Sequence, residues 1–443
     1  MKYKIAQQTL KNGIRTYCRT SNQTEFVGFV IGFQAGSFKS KSNSALAHFF
    51  EHCLRNSSQK TSSTEFSTRE VDIAASSNAY TSDTMMGITG FCFAKDLYLM
   101  LDDAFERICY PKFDPKETED ERKIVAQEIN MYVKDVVEQN ALVVRSLLFP
   151  KYGKVENNII GSEEDLKKIK ICDLKRYHQK WFAPNNMFVA VQGNVDANKL
   201  KKYLFKKFPN NGQPKIEEKL IENQPKGQIA YAYSIANKDK YTLRFGIGDW
   251  DSCSRSGVNF RSLVVALSNL SFCSILKKRI REEKNLVYAI SARMQSSRGK
   301  AYFAVEFCTT MFNQVVDEVL NILAEIATDG VSDRILKQVK ATFNKYEIRE
   351  QEDNFGAMLD SVLVMMSRGE DVSENRNKLL RKLINETTVE GLQEAAKQIL
   401  NAKRLIVTSD TKEKDEEKLH YFFRAFDKTK RRLKNEQNKQ KMQ

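Results

Sequence analysis

Histidine is nearly absent from this chain. Only four occur in 443 residues, and two of them fall within one five-residue stretch. The eight cysteines include no Cys-x-x-Cys pair, which excludes the usual zinc knuckles. Cys18, Cys92, Cys172, Cys273 and Cys308 stand in apolar or mixed sequence, as buried free thiols do. That usage points to a reducing compartment rather than a disulfide framework. The start, Met1-Lys2-Tyr3-Lys4-Ile5-Ala6-Gln7-Gln8, has no apolar core of signal-peptide length, and no stretch approaches membrane-spanning length. The expectation is therefore a cytoplasmic protein with no integral membrane segment. No helix-turn-helix pattern, Gly-rich phosphate loop or aromatic RNA-binding strand is evident, so no nucleic acid partner is expected.

What is present suffices for two or three domains, each with a sizeable core, since 41% of residues are hydrophobic. Charged residues make up 29%, with a formal net charge of +15. Such an excess admits anionic partners, but it is spread along the sequence. Its one dense stretch runs from Lys428 to Lys441 and reads as a solvated helix end or disordered arm.

The first half opens with a hairpin pattern, Tyr3–Thr9 and Ile14–Arg19 around Lys11-Asn12-Gly13. A strongly apolar strand fits Phe26–Phe33, and a helix fits Ser44–Leu54. Ser62-Ser63-Thr64-Glu65 is a capping box before a helix over Glu65–Ala75. Strands over Asn78–Thr81 and Met86–Phe93 precede a helix at Leu97–Ile108, then a long helix from Lys116 to Leu147. Cys172–Trp181, Met187–Gln192 and Lys199–Phe208 complete the half as helix, strand and helix. Breaker clusters flank a charged stretch, giving an N-terminal domain over 1–212, a linker over 213–228, a C-terminal domain over 229–412 and a charged tail over 413–443. The C-terminal half repeats the order. Strands fit Tyr241–Ile247, Leu286–Met294, Ala301–Cys308 and Leu405–Thr408. Helices fit Ser262–Leu270, Gln314–Thr328, Asp333–Arg349, Met358–Met366 and Val389–Leu400. The fold class is α+β, a duplicated unit of sheet packed by helices.

His48-Phe49-Phe50-Glu51-His52 carries the chemistry. Two histidines four apart stack on one helix face, a spacing that lets both imidazoles reach one tetrahedral zinc. Glu51 then lies beside the metal, placed to act on water. A hydrolytic zinc site needs a third protein ligand and an open position. Carboxylates of the long helix are the best source: Glu121 and Glu128 are seven apart, two turns, on one face, with Ile124, Val125 and Ile129 packed around them. Glu119 and Asp120 point to water. Ordinary exposed helix charges are the alternative for Glu121 and Glu128. His178 and His420 read as structural or exposed.

The inverted zinc motif is the signature of the inverzincins. With it, Ala35-Gly36-Ser37, Asn78-Ala79-Tyr80-Thr81-Ser82, Glu121 through Ile129, Ile160-Gly161-Ser162, Pro184-Asn185-Asn186-Met187, Leu276 and Arg281 through Tyr288 make the chain resemble the pitrilysin and insulinase-like zinc metallopeptidases. The likeness is strongest to the branch of the mitochondrial processing peptidase and its bacterial relatives, over about residues 8 to 410. The resemblance implies two homologous α/β half-domains, each a mixed or antiparallel sheet packed by helices, forming a clamshell. It implies Zn2+ held by His48, His52 and Glu128, with Glu51 as general base and Glu121 orienting a ligand histidine. It implies that Arg281 and Tyr288 face the scissile peptide and that Asn78 and Ala79 position the substrate backbone, an extended peptide adding to the sheet edge. The expected partners are a peptide or unfolded protein substrate and a second subunit, in a homodimer or a heterodimer with a homologous chain.

The chain departs from the family pattern at Ala45, where glycine is usual, at Cys53, where methionine is common, and at Arg55-Asn56-Ser57-Ser58, which replaces an aromatic–Lys–Gly–Thr-like run. These departures bear on subsite shape more than on catalysis. The sequence-level conclusion is a zinc-dependent metalloendopeptidase. Its rivals are a catalytically silent scaffold of the same family and an anionic-surface or nucleic-acid binder.

Overall fold

A computed structural model describes residues 4–40, 43–135, 142, 158–208, 229–234, 239–249, 251, 254–297, 300–352, 359, 362, 374–410 and 416–442. The chain forms two compact units, each a sheet backed by helices. The expected linker lies outside the described residues.

The first unit begins with β1 (Lys4–Thr9) and β2 (Arg15–Thr20), an antiparallel hairpin in which Thr9 faces Arg15. The turn holds because Gly13 takes φ +88° and a Cβ there would lie 2.8 Å from Asn185. Asn12, buried beside it, donates to the Phe208 carbonyl at 2.6 Å and ties the turn to the far end of the unit. β3 (Phe26–Phe33) leads to α1 (Leu46–Leu54), α2 (Ser63–Asp72), β4 (Ser76–Thr81) and β5 (Met86–Phe93). The capping box is formed: the Glu65 amide donates to Ser62 Oγ at 3.2 Å, and the Ser62 amide donates to the Glu65 carboxylate at 2.7 Å. α3 (Leu97–Cys109), α4 (Pro115–Lys134), α5 (Glu163–Lys168), α6 (Ile171–Trp181), β6 (Met187–Gly193) and α7 (Ala197–Lys207) follow.

The strands run in the order β1-β2-β6-β3-β5-β4, with β2–β6 the parallel pair. β6 is buried at every position, as an inner strand covered on both faces requires. β4 pairs with β5 and ends the sheet, so its outer edge is open among the described residues. α4 ends at Lys134, short of the expected Leu147; 136–141 and 143–157 lie outside the described residues.

The second unit contains β7 (Ile229–Ser234), β8 (Lys240–Asp249), α8 (Arg255–Val264), β9 (Ala289–Ser297), β10 (Lys300–Cys308), α9 (Phe312–Asp329), α10 (Asp333–Glu352), α11 (Glu374–Asn385), α12 (Val389–Leu400), β11 (Leu405–Asp410) and α13 (Glu416–Met442). Its sheet order is β7-β11-β8-β10-β9, with β7–β11 parallel. Remove β1 from the first sheet, and the two orders coincide strand for strand, including the parallel pair. The duplication expected from element order is therefore present as topology. The sequence reading did not anticipate β7, α5 or α11. It began the strand at Leu286, where the structure begins β9 at Ala289. The basic stretch from Lys428 lies in α13, in keeping with the helix-end reading, but its Leu433 is buried in the second core, as are Phe422 and Phe426 before it.

The expected helix over Met358–Met366 lies mostly outside the described residues. Leu359 and Val362, both described, are buried with Tyr17, Val30, Met85, Phe188 and Ala190 of the first unit. Two residues from the second half of the sequence thus pack on the face of the first sheet opposite α1. Leu359→Ala should cost about 2–5 kcal/mol of unfolding free energy, as large-to-small core substitutions do. A denaturant titration would test it; an unchanged midpoint would show that this contact carries no stability.

Candidate metal centre

α1 sits on the inner face of the first sheet because one side of it is apolar. Ala47, Phe49, Phe50, Cys53 and Leu54 are buried, and Phe50 packs against Phe113, Tyr177 and Phe182. Its first turn has no side-chain cap of its own. Instead Asp165 of α5 accepts from the Ser44 hydroxyl at 2.9 Å and the Ser44 amide at 3.2 Å. Gly161 takes φ +89°, and a Cβ there would meet Ala45 at 2.3 Å. The landmark glycine therefore makes room for the start of α1, including the alanine that stands where glycine is usual.

α4 crosses α1 with Val125 and Ile129 buried between them. Ile124 does not join that packing, contrary to expectation: it is 50% exposed. Arg122 fixes the helix in place. Its guanidinium donates to the carbonyls of Leu166 and Ile169, the latter at 2.8 Å, and lies 4.8 Å over the Phe49 ring. Glu119 and Asp120 are exposed and pair with Arg122 and Lys123, as their predicted direction requires.

These contacts bring His48, His52 and Glu128 together, with ligand atoms all within 4.8 Å of one another. One Glu128 oxygen lies 3.6 Å from His48 Nε2 and 3.3 Å from His52 Nε2. Zinc bonds of about 2.0–2.2 Å in a tetrahedron separate neighbouring donor atoms by roughly 3.3 Å, so the donor set and spacing are compatible with zinc. His52 Nδ1 meets Glu121 at 3.1 Å, which turns its Nε2 toward Glu128. Glu51 is buried on the same helix, one residue before His52. The structure thus brings His48, His52 and Glu128 together, with Glu121 against His52 and Glu51 one residue before it on α1.

Asn78 and Ala79 lie on β4, Asn78 exposed and Ala79 buried. Arg281 and Tyr288 belong to the second unit. Tyr288 is 82% exposed there, with the Arg281 guanidinium 5.8 Å from its ring centre. His178 is structural, bonded to the Ile108 carbonyl at 2.6 Å, and His420 is exposed. Of the cysteines expected to be buried, Cys172 and Cys273 are exposed. Sequence reasoning missed Arg122 and Asp165 as positioning residues. Arg122 stood inside the Glu121–Ile129 motif, whereas Asp165 stood three residues beyond Ile160-Gly161-Ser162 with no signal of its own.

The electrostatics are uneven. Burial and the adjacent His52 bring His48 down to about 4. Burial would lower His52 too, but hydrogen bonds to Glu121 and Glu128 outweigh it and raise His52 to about 9. Glu128 is held low, first by its bond from His52. Glu51 is pushed up by burial, against the opposing effects of the Thr81 hydroxyl and His52. His52 is thus favoured as an imidazolium, with its Nδ1–H toward Glu121 and its Nε2–H toward Glu128.

The fold and site define a class, a duplicated sheet-and-helix protein with one His-x-x-Glu-His centre. The insulinase family model, peptidase family M16, matches residues 15–157, and the M16 inactive-domain model matches residues 168–343. The chain belongs to this family of peptidases. It is 20% identical over 413 residues to the uncharacterized zinc protease YmxG of Bacillus subtilis, covering 88% of this chain and 93% of that protein. It is 25% identical over 246 residues to the probable mitochondrial-processing peptidase subunit beta of Arabidopsis thaliana, covering 54% and 45% of the two chains. Its fold matches a protease from Helicobacter pylori with TM-score 0.78 at 16% identity, over 92% of this chain and 99% of that one. It also matches the periplasmic protease PqqL from Escherichia coli with TM-score 0.77 at 16% identity, over 95% of this chain and 50% of that one. This last likeness overturns the cytoplasmic expectation, because a periplasmic protein has the same fold. No helix among the described residues is long and apolar enough to cross a membrane, and that does not assign a compartment.

Because His52, raised to about 9, holds a proton at pH 7 while zinc needs its lone pair, zinc binding at pH 7 should release close to one proton. Apparent affinity should rise with pH until about 9, then level off. Calorimetry in buffers of different ionisation enthalpy measures the release, and Glu121→Gln should reduce it while weakening zinc binding about 10–100-fold. No proton release by either protein would contradict the assignment of charge to His52.

Proposed function

We propose that the protein is a zinc-dependent metalloendopeptidase that hydrolyses extended peptides or unfolded segments. The observation that carries this reading is the single Glu128 oxygen within 3.6 Å of both imidazoles, beside a buried Glu51. In this reading His48, His52 and Glu128 hold the ion, and Glu121 orients His52. Zinc bound there supplies a Lewis acid that acidifies water and polarises a peptide carbonyl.

Glu51 does the proton work. Its raised pKa makes it a stronger base than an exposed carboxylate, and it takes the proton of the attacking water and delivers it to the leaving amine. Asn78 and Ala79 place the substrate along β4, whose open edge offers backbone groups to an extended strand. The family resemblance assigns Arg281 and Tyr288 to the scissile peptide and its developing oxyanion. We assign the working form to a dimer, of this chain or with a related one; light scattering that finds a monomer at working concentration would remove that part.

Glu51→Gln should retain zinc by elemental analysis and lose hydrolysis of a peptide library by about 10²–10⁴-fold, the range of general-base catalysis. Chelation should abolish wild-type cleavage, and added zinc should restore it. Cleavage that survives both treatments would refute the mechanism.

A further inference from the structure

Arg55 follows α1 directly and keeps helical geometry, with φ −82° and ψ −11°. It therefore stands four residues beyond Glu51 on the same face of the helix. Its side chain is exposed, and its Nη1 donates to Asn78 Oδ1 at 3.2 Å across to β4. That oxygen is also within 3.0 Å of the Ala79 amide, so the guanidinium rests on the strand that closes the sheet. Several other cations of this unit pair with carboxylates: Arg69 with Asp103, Arg107 with Glu70, Arg122 with Glu119, Lys207 with Asp102. Arg55 has no carboxylate at ion-pair distance among the described residues, although the Glu51 carboxylate lies within its Coulombic reach.

We infer that Arg55 is a specificity-determining residue that selects an acidic side chain on the peptide substrate. The inference rests on the peptidase reading of the site. A guanidinium has five donors in a rigid fork, and one bond to a neutral amide leaves the rest available to a carboxylate. An extended peptide added along β4 turns alternate side chains toward the two faces of the sheet. One of those on the α1 side then meets a guanidinium that no carboxylate of the described residues pairs at bonding distance. The bond to Asn78 holds that charge in position, which lowers the ordering cost of pairing.

The test uses sets of peptides identical except for Asp, Gln or Lys at one position, scanned along the peptide. Wild-type zinc-loaded protein should cleave the Asp member with kcat/KM about 3–10-fold above the Gln member at one position, an advantage that shrinks with salt. Arg55→Gln should bring that ratio to one, Arg55→Lys should preserve most of it, and Arg55→Glu should favour Lys instead. Absence of any charge preference in wild type, or its persistence in Arg55→Gln, overturns the inference while leaving hydrolysis intact. The same peptides are also scored by fluorescence anisotropy on Glu51→Gln with zinc. An Asp preference in binding without any wild-type cleavage would support Arg55 and overturn the hydrolytic reading. No preference in binding or cleavage overturns Arg55.

Discussion

The site depends on α4 lying close enough to α1 that one carboxylate oxygen sits between two imidazoles. His48 and His52 come together through helix geometry alone, four residues apart on one turn of α1. Glu128 comes from a different helix, and its arrival is a packing problem. Val125 and Ile129 supply the apolar contact, and Arg122 supplies direction by binding the carbonyls at the end of α5. Asp165 of the same α5 holds Ser44, just before α1 begins. α5 is six residues long, yet it touches both helices that bring the cluster together. Substitutions there would reach the cluster of His48, His52 and Glu128 without touching any of its three side chains.

The charge distribution follows from that arrangement. Burial resists a positive charge on either histidine, and the two rings lie 4.8 Å apart, so they cannot both be protonated cheaply. Glu121 breaks the symmetry by bonding to His52 Nδ1 and leaving His48 to its burial. The acids on this face therefore have separate tasks: Glu128 faces both imidazoles, Glu121 holds one of them, and Glu51 stands buried with a raised pKa. Environment rather than residue type distinguishes three otherwise identical carboxylates.

Much of this was legible in the sequence, for a physical reason. The His-x-x-Glu-His spacing and the seven-residue interval from Glu121 to Glu128 are both local to one helix, and helical period converts spacing into facing. The same logic read the capping box and the strands of the first sheet. It failed where the determinant was tertiary. The periodicity of α4 placed Ile124 with Val125 and Ile129, but only the position of α1 decides which side is covered. Nothing local says that Asp165 bonds Ser44 or that Leu359 and Val362 lie against Val30 and Phe188. β7 was missed because its register is set by β11, about 175 residues later in sequence, and not by any hairpin turn.

The second unit shows what the scaffold needs without the chemistry. It repeats the sheet order of the first, and the helix that follows its equivalent of β3 is α8, with Val258, Phe260, Leu263 and Val264 buried. α8 has neither histidine nor carboxylate, so this fold forms without a metal centre. The buried histidine and glutamate of α1 are therefore not structural necessities. Placing His48 and Glu51 out of water lowers the pKa of one and raises that of the other, a free-energy cost that an apolar residue at either position would avoid. Local rules broken in one copy of a duplicated scaffold and obeyed in the other mark the position where function, and not folding, selected the residues.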